Sequence, residues 1–245
     1  MILRGSCVSE NGPGSAPSQA GGLALCTFCL VVEGAIGVGK TTLARLLADH
    51  LGAQLILEAY EDNPHLPDFY EDPDKHAFLV QRAFLKCRLD QLRALPDLLQ
   101  EGPVVADFML QKDRIFARLN LSEDEWLSYE EEYARGASQI RDPDLIVLLD
   151  AKTDILMRRI SDRDRPYERH IDRVYIDNLR SAYDAHFARF QDIPLLRIDT
   201  NDLNLVDSPE HISSTLERVK NALRQEGFLP RESVAPEREA KVHYA

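Results

Sequence analysis

Nowhere does this 245-residue chain run apolar and uncharged for the ~18 residues that a membrane-crossing helix needs. Cysteine is sparse, at Cys7, Cys26, Cys29 and Cys87. That is far too few for a disulfide scaffold, and a reducing cytoplasm is the simplest compartment. Cys26 and Cys29 form one C-x-x-C with no second pair. Two buried thiols on a strand explain it better than a metal or redox pair. An excess of positive charge is also missing. Lys plus Arg is 29 against 41 Asp plus Glu, a net charge of −12. Such a chain suits neither duplex nucleic acid nor an anionic membrane surface, so no nucleic-acid or membrane partner is expected. There is no internal repeat and no long linker.

What remains is globular, with 44% apolar and 29% charged residues. The length admits one α/β domain with a buried sheet. Residues 1–22 are rich in Gly, Ser, Pro and Ala and read as a disordered leader. The domain is expected over 23–228, and 229–245 reads as a charged flexible tail. Leu23 to Val32 could mimic a signal-peptide core. It runs into Glu33 and Gly34 without a cleavage pattern, and fits a buried first strand.

Five apolar runs read as parallel strands: Leu25–Val32, Gln54–Leu57, Val104–Ala106, Leu145–Leu149 and Leu195–Ile198. Helices are expected over Thr41–Leu51, Lys75–Leu99, Asp113–Gln139, Thr153–Ile160, Val174–Phe190 and Pro209–Gln225. The alternation predicts a doubly wound five-stranded parallel α/β sheet flanked by helices.

Gly34-Ala35-Ile36-Gly37-Val38-Gly39-Lys40-Thr41 matches the phosphate-loop pattern G-x-x-x-x-G-K-[ST], between a strand and a helix. Its backbone N–H groups and the helix N-terminus suit phosphate, with Thr42 the next residue on that helix. Lys40 would reach the outer phosphates and Thr41 would ligate Mg²⁺. A nucleoside triphosphate, ATP or GTP, is therefore implied. Arg159, Arg163 and Arg165 concentrate charge at the end of a helix, among Asp162, Asp164 and Glu168. Alone they read as a solvated face; beside a phosphate loop they read as a lid that clamps a migrating phosphoryl group. Glu58 and Asp107 end the second and third strands, where an open α/β sheet borders its ligand crevice. A carboxylate there can take a proton from a hydroxyl or hold Mg²⁺. It can equally be a helix cap or a surface acid.

From about Val31 to Leu203 the chain resembles the deoxynucleoside kinases, in particular the bacterial deoxyadenosine/deoxyguanosine kinases. The resemblance rests on Asp62-Asn-Pro-His-Leu-Pro-Asp-Phe-Tyr70-Glu-Asp-Pro and on Ala77-Phe-Leu-Val-Gln81-Arg-Ala-Phe-Leu-Lys-Cys-Arg88. It implies a phosphate-loop kinase fold with an arginine-rich lid, ATP and Mg²⁺ as donor and metal, and a deoxynucleoside acceptor. It implies Glu58 as general base for the 5′-hydroxyl. Tyr70 and Glu168 would hold the 3′-hydroxyl, and Gln81, Arg88 and Asp113 would read the base, with purines favoured. Asp107 matches the acid of the third-strand motif, and Arg159, Arg163 and Arg165 match the lid arginines. A dimer is implied through the two long helical stretches, a homodimer first and a heterodimer as its alternative.

Two positions depart from that pattern. Phe108 stands where the family commonly has an arginine that touches the base carboxylate, with Lys112 and Arg114 as candidate stand-ins. Asp164 replaces a small lid residue, often glycine. Two other functions were weighed. A nucleoside monophosphate kinase needs basic residues for a phosphorylated acceptor, but residues 58–74 contain seven acids and no Lys or Arg. A nucleotide-binding subunit, inactive alone, is supported by Phe108 and opposed by Glu58, Tyr70, Gln81 and Glu168.

Overall fold

The computed structural model describes residues 27–190 and 192–230. The expected leader, Cys7, Cys26 and the tail beyond Pro230 lie outside the described residues. Strands β1 (Cys29–Glu33), β2 (Gln54–Ile56), β3 (Val104–Ala106), β4 (Leu145–Asp150) and β5 (Leu195–Asp199) form one parallel sheet in the order β2-β3-β1-β4-β5. Val31 pairs with Ala106 on one side and Ile146 on the other. The expected doubly wound sheet is present. β1 and β4 are buried almost end to end, as strands covered on both faces must be.

β1 begins four residues later than expected. Its first N–H, on Cys29, donates to Asp144 Oδ2 at 2.7 Å, and its pairing with β3 starts there. Cys29 is buried, which pushes its thiol up to about 12 and leaves it inert.

Helix α1 (Lys40–Leu51) follows the phosphate loop, packs on β1, β2 and β3, and meets α9 (Pro209–Gln225). The two long helical stretches are each divided. A short helix that the periodicity did not show, α2 (Leu66–Glu71), precedes the first, which itself becomes α3 (Pro73–Leu92) and α4 (Leu95–Glu101). Pro96 explains the break after α3: without an N–H it fits the first turn of α4 but not a helix interior. The second becomes α5 (Gln111–Asn120) and α6 (Glu123–Ala137). Leu121 is extended, and Ser122 restarts the helix through a capping box with Glu125, its N–H donating at 3.0 Å. Helices α7 (Thr153–Arg163) and α8 (Arg173–Phe187) end differently from expectation by three residues each. One apolar core joins sheet and helices, and Leu229 still packs against it. Among the described residues no helix is long and apolar enough to cross a membrane.

The carboxyl ends of β1, β2 and β3 deliver Glu33, Glu58 and Asp107 to one edge of the sheet, where the strand order reverses about β1. Gly34 makes the turn out of β1 at φ +142°, and a Cβ there would lie 2.4 Å from the Leu149 carbonyl oxygen. The phosphate loop is pressed against β4 at this point. Gly34→Ala is therefore expected to lower unfolding stability by about 1–3 kcal/mol in urea titrations, with the loop displaced. A variant as stable as the parent would show that the loop yields freely.

Candidate active site

Two cavities open at this edge. One, of about 850 Å³, is lined by Gly37–Thr42, Arg158, Arg159 and the loop Thr200–Asp207. The other, of about 120 Å³, is lined by Glu58, Tyr70, Gln81, Arg88, Lys112 and Glu168, among others. Gly37, Lys40, Thr41 and Arg163 line both, so the two spaces meet at the phosphate loop.

At that junction Lys40 Nζ donates to the carbonyls of Gly34 (2.8 Å) and Ala35 (3.0 Å). Burial, then the neighbouring Lys112 ammonium, draws its pKa down to about 8. Thr41 Oγ1 donates to Asp107 Oδ2 at 2.6 Å, and the other oxygen of Asp107 accepts the Glu58 N–H at 2.7 Å. One hydroxyl and one carboxylate thus face the phosphate loop. This sparse set of hard oxygens fits Mg²⁺, which keeps several waters and takes further ligands from substrate phosphates.

Glu58 sits between two cations. Arg88 Nε reaches Oε1 at 2.9 Å, with Nη2 on the same oxygen, and Lys112 Nζ reaches Oε2 at 2.5 Å. Burial alone would raise the Glu58 carboxyl, but Lys112 and Arg88 more than offset it and hold it well below the usual carboxylate range. Arg88 also donates through Nη1 to Asp113 and lies over the Phe84 ring at 4.6 Å. Asp113 is fully buried and accepts the Tyr129 hydroxyl at 2.7 Å. Burial raises its carboxyl, opposed by Arg88 and Tyr129. Gln81, on α3 two turns before Arg88, is buried and donates to the Asp113 carbonyl at 3.4 Å.

The lid residues divide. Glu168 is buried and accepts from Arg163 (3.1 and 2.5 Å) and from Arg165 (3.4 Å). Arg165 lies over the Tyr60 ring at 4.3 Å, and Tyr70 stacks on Tyr167 at 5.9 Å. Arg159 stands apart from these. Its guanidinium donates to the Val38 carbonyl, to Thr200 Oγ1, and to the carbonyls of Thr200 and Leu203. It ties the phosphate loop to the loop after β5. Asp164 ends α7 at φ +48°, a left-handed conformation that favours glycine, and pairs with Arg169 at 2.7 and 2.8 Å.

The departure at position 108 has a packing reason. Phe108 is fully buried and points into the core with Met109 and Leu110. Of the two candidate stand-ins, Lys112 reaches Glu58, whereas Arg114 pairs outward with Glu130 at 2.8 Å. Three groups escaped the sequence reading. Glu33 accepts from the N–H groups of Gly34 and Met109 and from the Tyr183 hydroxyl, joining the phosphate loop to the loop after β3. Burial raises its carboxyl. A lone acid ending an apolar strand was its only signal. Tyr129 had none, since its partner is 16 residues away. The loop 200–207 showed only turn-forming composition.

The sequence profile described as deoxynucleoside kinase matches residues 30–224. Over 200 residues the chain is 32% identical to a deoxyguanosine kinase of Bacillus subtilis, covering 79% of this chain and 97% of that one. It is 31% identical over 204 residues to a deoxyadenosine kinase of Dictyostelium discoideum, covering 80% of each. A solved structure of deoxyadenosine kinase from M. mycoides superposes with a TM-score of 0.70 at 24% identity, over 80% of this chain and 99% of that one. This last likeness is one of fold.

If position 108 is a core site, Phe108→Arg buries a guanidinium without a partner. It is expected to lower unfolding stability by several kcal/mol in a chemical melt, rather than to raise activity. Parent-like stability with faster turnover would overturn that assignment.

Proposed function

We propose, for a chain that belongs to the deoxynucleoside kinase family, an ATP- and Mg²⁺-dependent transfer to the 5′-hydroxyl of a purine deoxyribonucleoside. Membership makes the chain a phosphotransferase that phosphorylates a deoxyribonucleoside at its 5′-hydroxyl. The observation that carries the residue roles is the junction of the two cavities at Lys40 and Thr41, with Glu58 beside it. A triphosphate fits the larger cavity, on the N–H groups of Gly34–Thr42 and the N-terminus of α1. The nucleoside fits the smaller one.

In this reading Glu58 takes the proton of the 5′-hydroxyl as its oxygen attacks the terminal phosphorus. Arg163 and Arg165 leave Glu168 for the migrating phosphoryl group, and Glu168 is then free to join Tyr70 at the 3′-hydroxyl. Gln81, Arg88 and Asp113 read the base edge, because an amide donates and accepts, a guanidinium donates and a carboxylate accepts. Arg159 acts indirectly, by holding the loop Thr200–Asp207 over the donor cavity. Thr41 and Asp107 would hold Mg²⁺, which supplies neutralisation of phosphate charge when bound. A purine is supported by the relatives named deoxyguanosine and deoxyadenosine kinase. A homodimer through the outer faces of α3 and α6, in the cytoplasm, completes the reading. There Arg82, Lys86 and Arg93 alternate with Asp90 and Glu132 around a shallow groove.

The purified chain with Mg-ATP is expected to convert deoxyguanosine or deoxyadenosine to the 5′-monophosphate faster than deoxycytidine or thymidine. EDTA should abolish turnover. Glu58→Gln should lower kcat by about 10²–10⁴-fold. Measurable ATP binding with no turnover of any deoxynucleoside would favour a partner-dependent subunit. Full turnover by Glu58→Gln would remove its role as base.

A further inference from the structure

One cation in the acceptor cavity has no part in the scheme above. Lys112 lies on α5 and is 5% exposed. Glu58 Oε2 is the one protein acceptor its ammonium reaches among the described residues, and the Phe116 ring flanks it at 5.6 Å. An ammonium carries three donors. Two are therefore left over, on a buried side chain that lines the same cavity as Lys40 and Thr41. Unfilled donors on a buried charge are costly, so the position implies an acceptor supplied by a ligand. Gln81 and Arg88 line the cavity with Asp113 behind them, whereas Lys112 lies beside Glu58 and close enough to Lys40 of the phosphate loop to lower its pKa.

We infer that Lys112 is a cation of the transfer itself, which holds Glu58 in place before the reaction and takes an oxygen of the phosphoryl group once it has arrived. The inference rests on Glu58 as the base. In the step, the 5′-oxygen bonds to the terminal phosphorus and its O–H bond breaks, the proton passing to Glu58 Oε2. The bond from that phosphorus to the bridging oxygen breaks, and its electron pair leaves with ADP. Lys112 stays protonated throughout. Its first partner has lost its charge by the end, and the new monophosphate has gained two anionic oxygens beside it, so the ammonium follows the charge.

Glu58 faces Arg88 from α3, Lys112 and Asp113 from α5, Lys40 from α1, Asp107 at the end of β3, and Tyr183 from α8. Removing Lys112 takes away one of its two contacting cations and leaves Arg88.

Lys112→Met, Lys112→Gln and Lys112→Arg test this, with Arg114→Met as a control on the outer face of α5 and Glu58→Gln in parallel. Lys112→Met and Lys112→Gln are expected to lose about 10²–10³-fold in kcat. Lys112→Arg should recover most of the rate, and Arg114→Met should match the parent. By calorimetry, Lys112→Met should bind the deoxynucleoside like the parent but its 5′-monophosphate about tenfold or more weakly. The inference is overturned if the neutral variants keep the parent rate, or if they lose rate without weakening monophosphate binding. If Lys112→Met is active while Glu58→Gln is dead, this inference fails alone. If Glu58→Gln is active, the reading it rests on fails with it. Should Lys112→Met not fold, Lys112→Gln and Lys112→Arg give the same two readouts.

Discussion

The site depends on one buried guanidinium. Arg88 is 3% exposed and spans two carboxylates, Glu58 from the end of β2 and Asp113 from the start of α5. Burial disfavours the charge on both acids, and the guanidinium opposes that effect in each. The bridge is therefore also a joint. It fixes α3 against the sheet edge and against α5 in one register, and removing a partner from such a group leaves an uncompensated buried charge. With Lys112 on the far side of Glu58 and Tyr129 on the far side of Asp113, the chain of contacts runs from α6 to the phosphate loop.

Under the proposed roles, that chain joins base recognition and proton transfer in one network. Gln81 and Asp113 lie at one end and Glu58 at the other, with Arg88 common to both. A base that draws on Arg88 or Asp113 alters the surroundings of Glu58 directly, since charges this close in a poorly solvated site are weakly screened. The acceptor side is thus less separable into specificity and catalysis than its residue roles suggest.

The donor side is built on different physics. The phosphate loop is backbone, curled at Gly34, Gly37 and Gly39 and backed by β4 and α7. Arg159 serves it by accumulating carbonyl acceptors from two loops rather than by standing free. Arg163 and Arg165 differ, because they rest on Glu168 and on an aromatic cluster of Tyr60, Tyr70 and Tyr167. These partners are adequate without being exclusive. Both guanidiniums are about a third exposed while Glu168 is buried, so the proposed exchange of Glu168 for phosphate requires Glu168 to gain a new partner.

Local chemistry carried the sheet and the phosphate loop into the sequence. Short apolar runs alternating with helical stretches read as buried parallel strands, and Gly34–Thr41 needs no distant partner to be recognised. Likeness to related chains brought Glu58, Tyr70, Gln81, Arg88, Asp113 and Glu168 to one place, and the structure shows them lining or backing one cavity. The divisions at Pro96 and Ser122 were legible in principle and were overrun by helical periodicity. The tertiary structure alone decided the rest. Which of Lys112 and Arg114 reaches Glu58, why position 108 is a core phenylalanine, and why Glu33 and Tyr129 matter are all questions about residues far apart in the chain. Burial sets their charges and hydrogen bonds, and burial belongs to the packed molecule rather than to any local pattern.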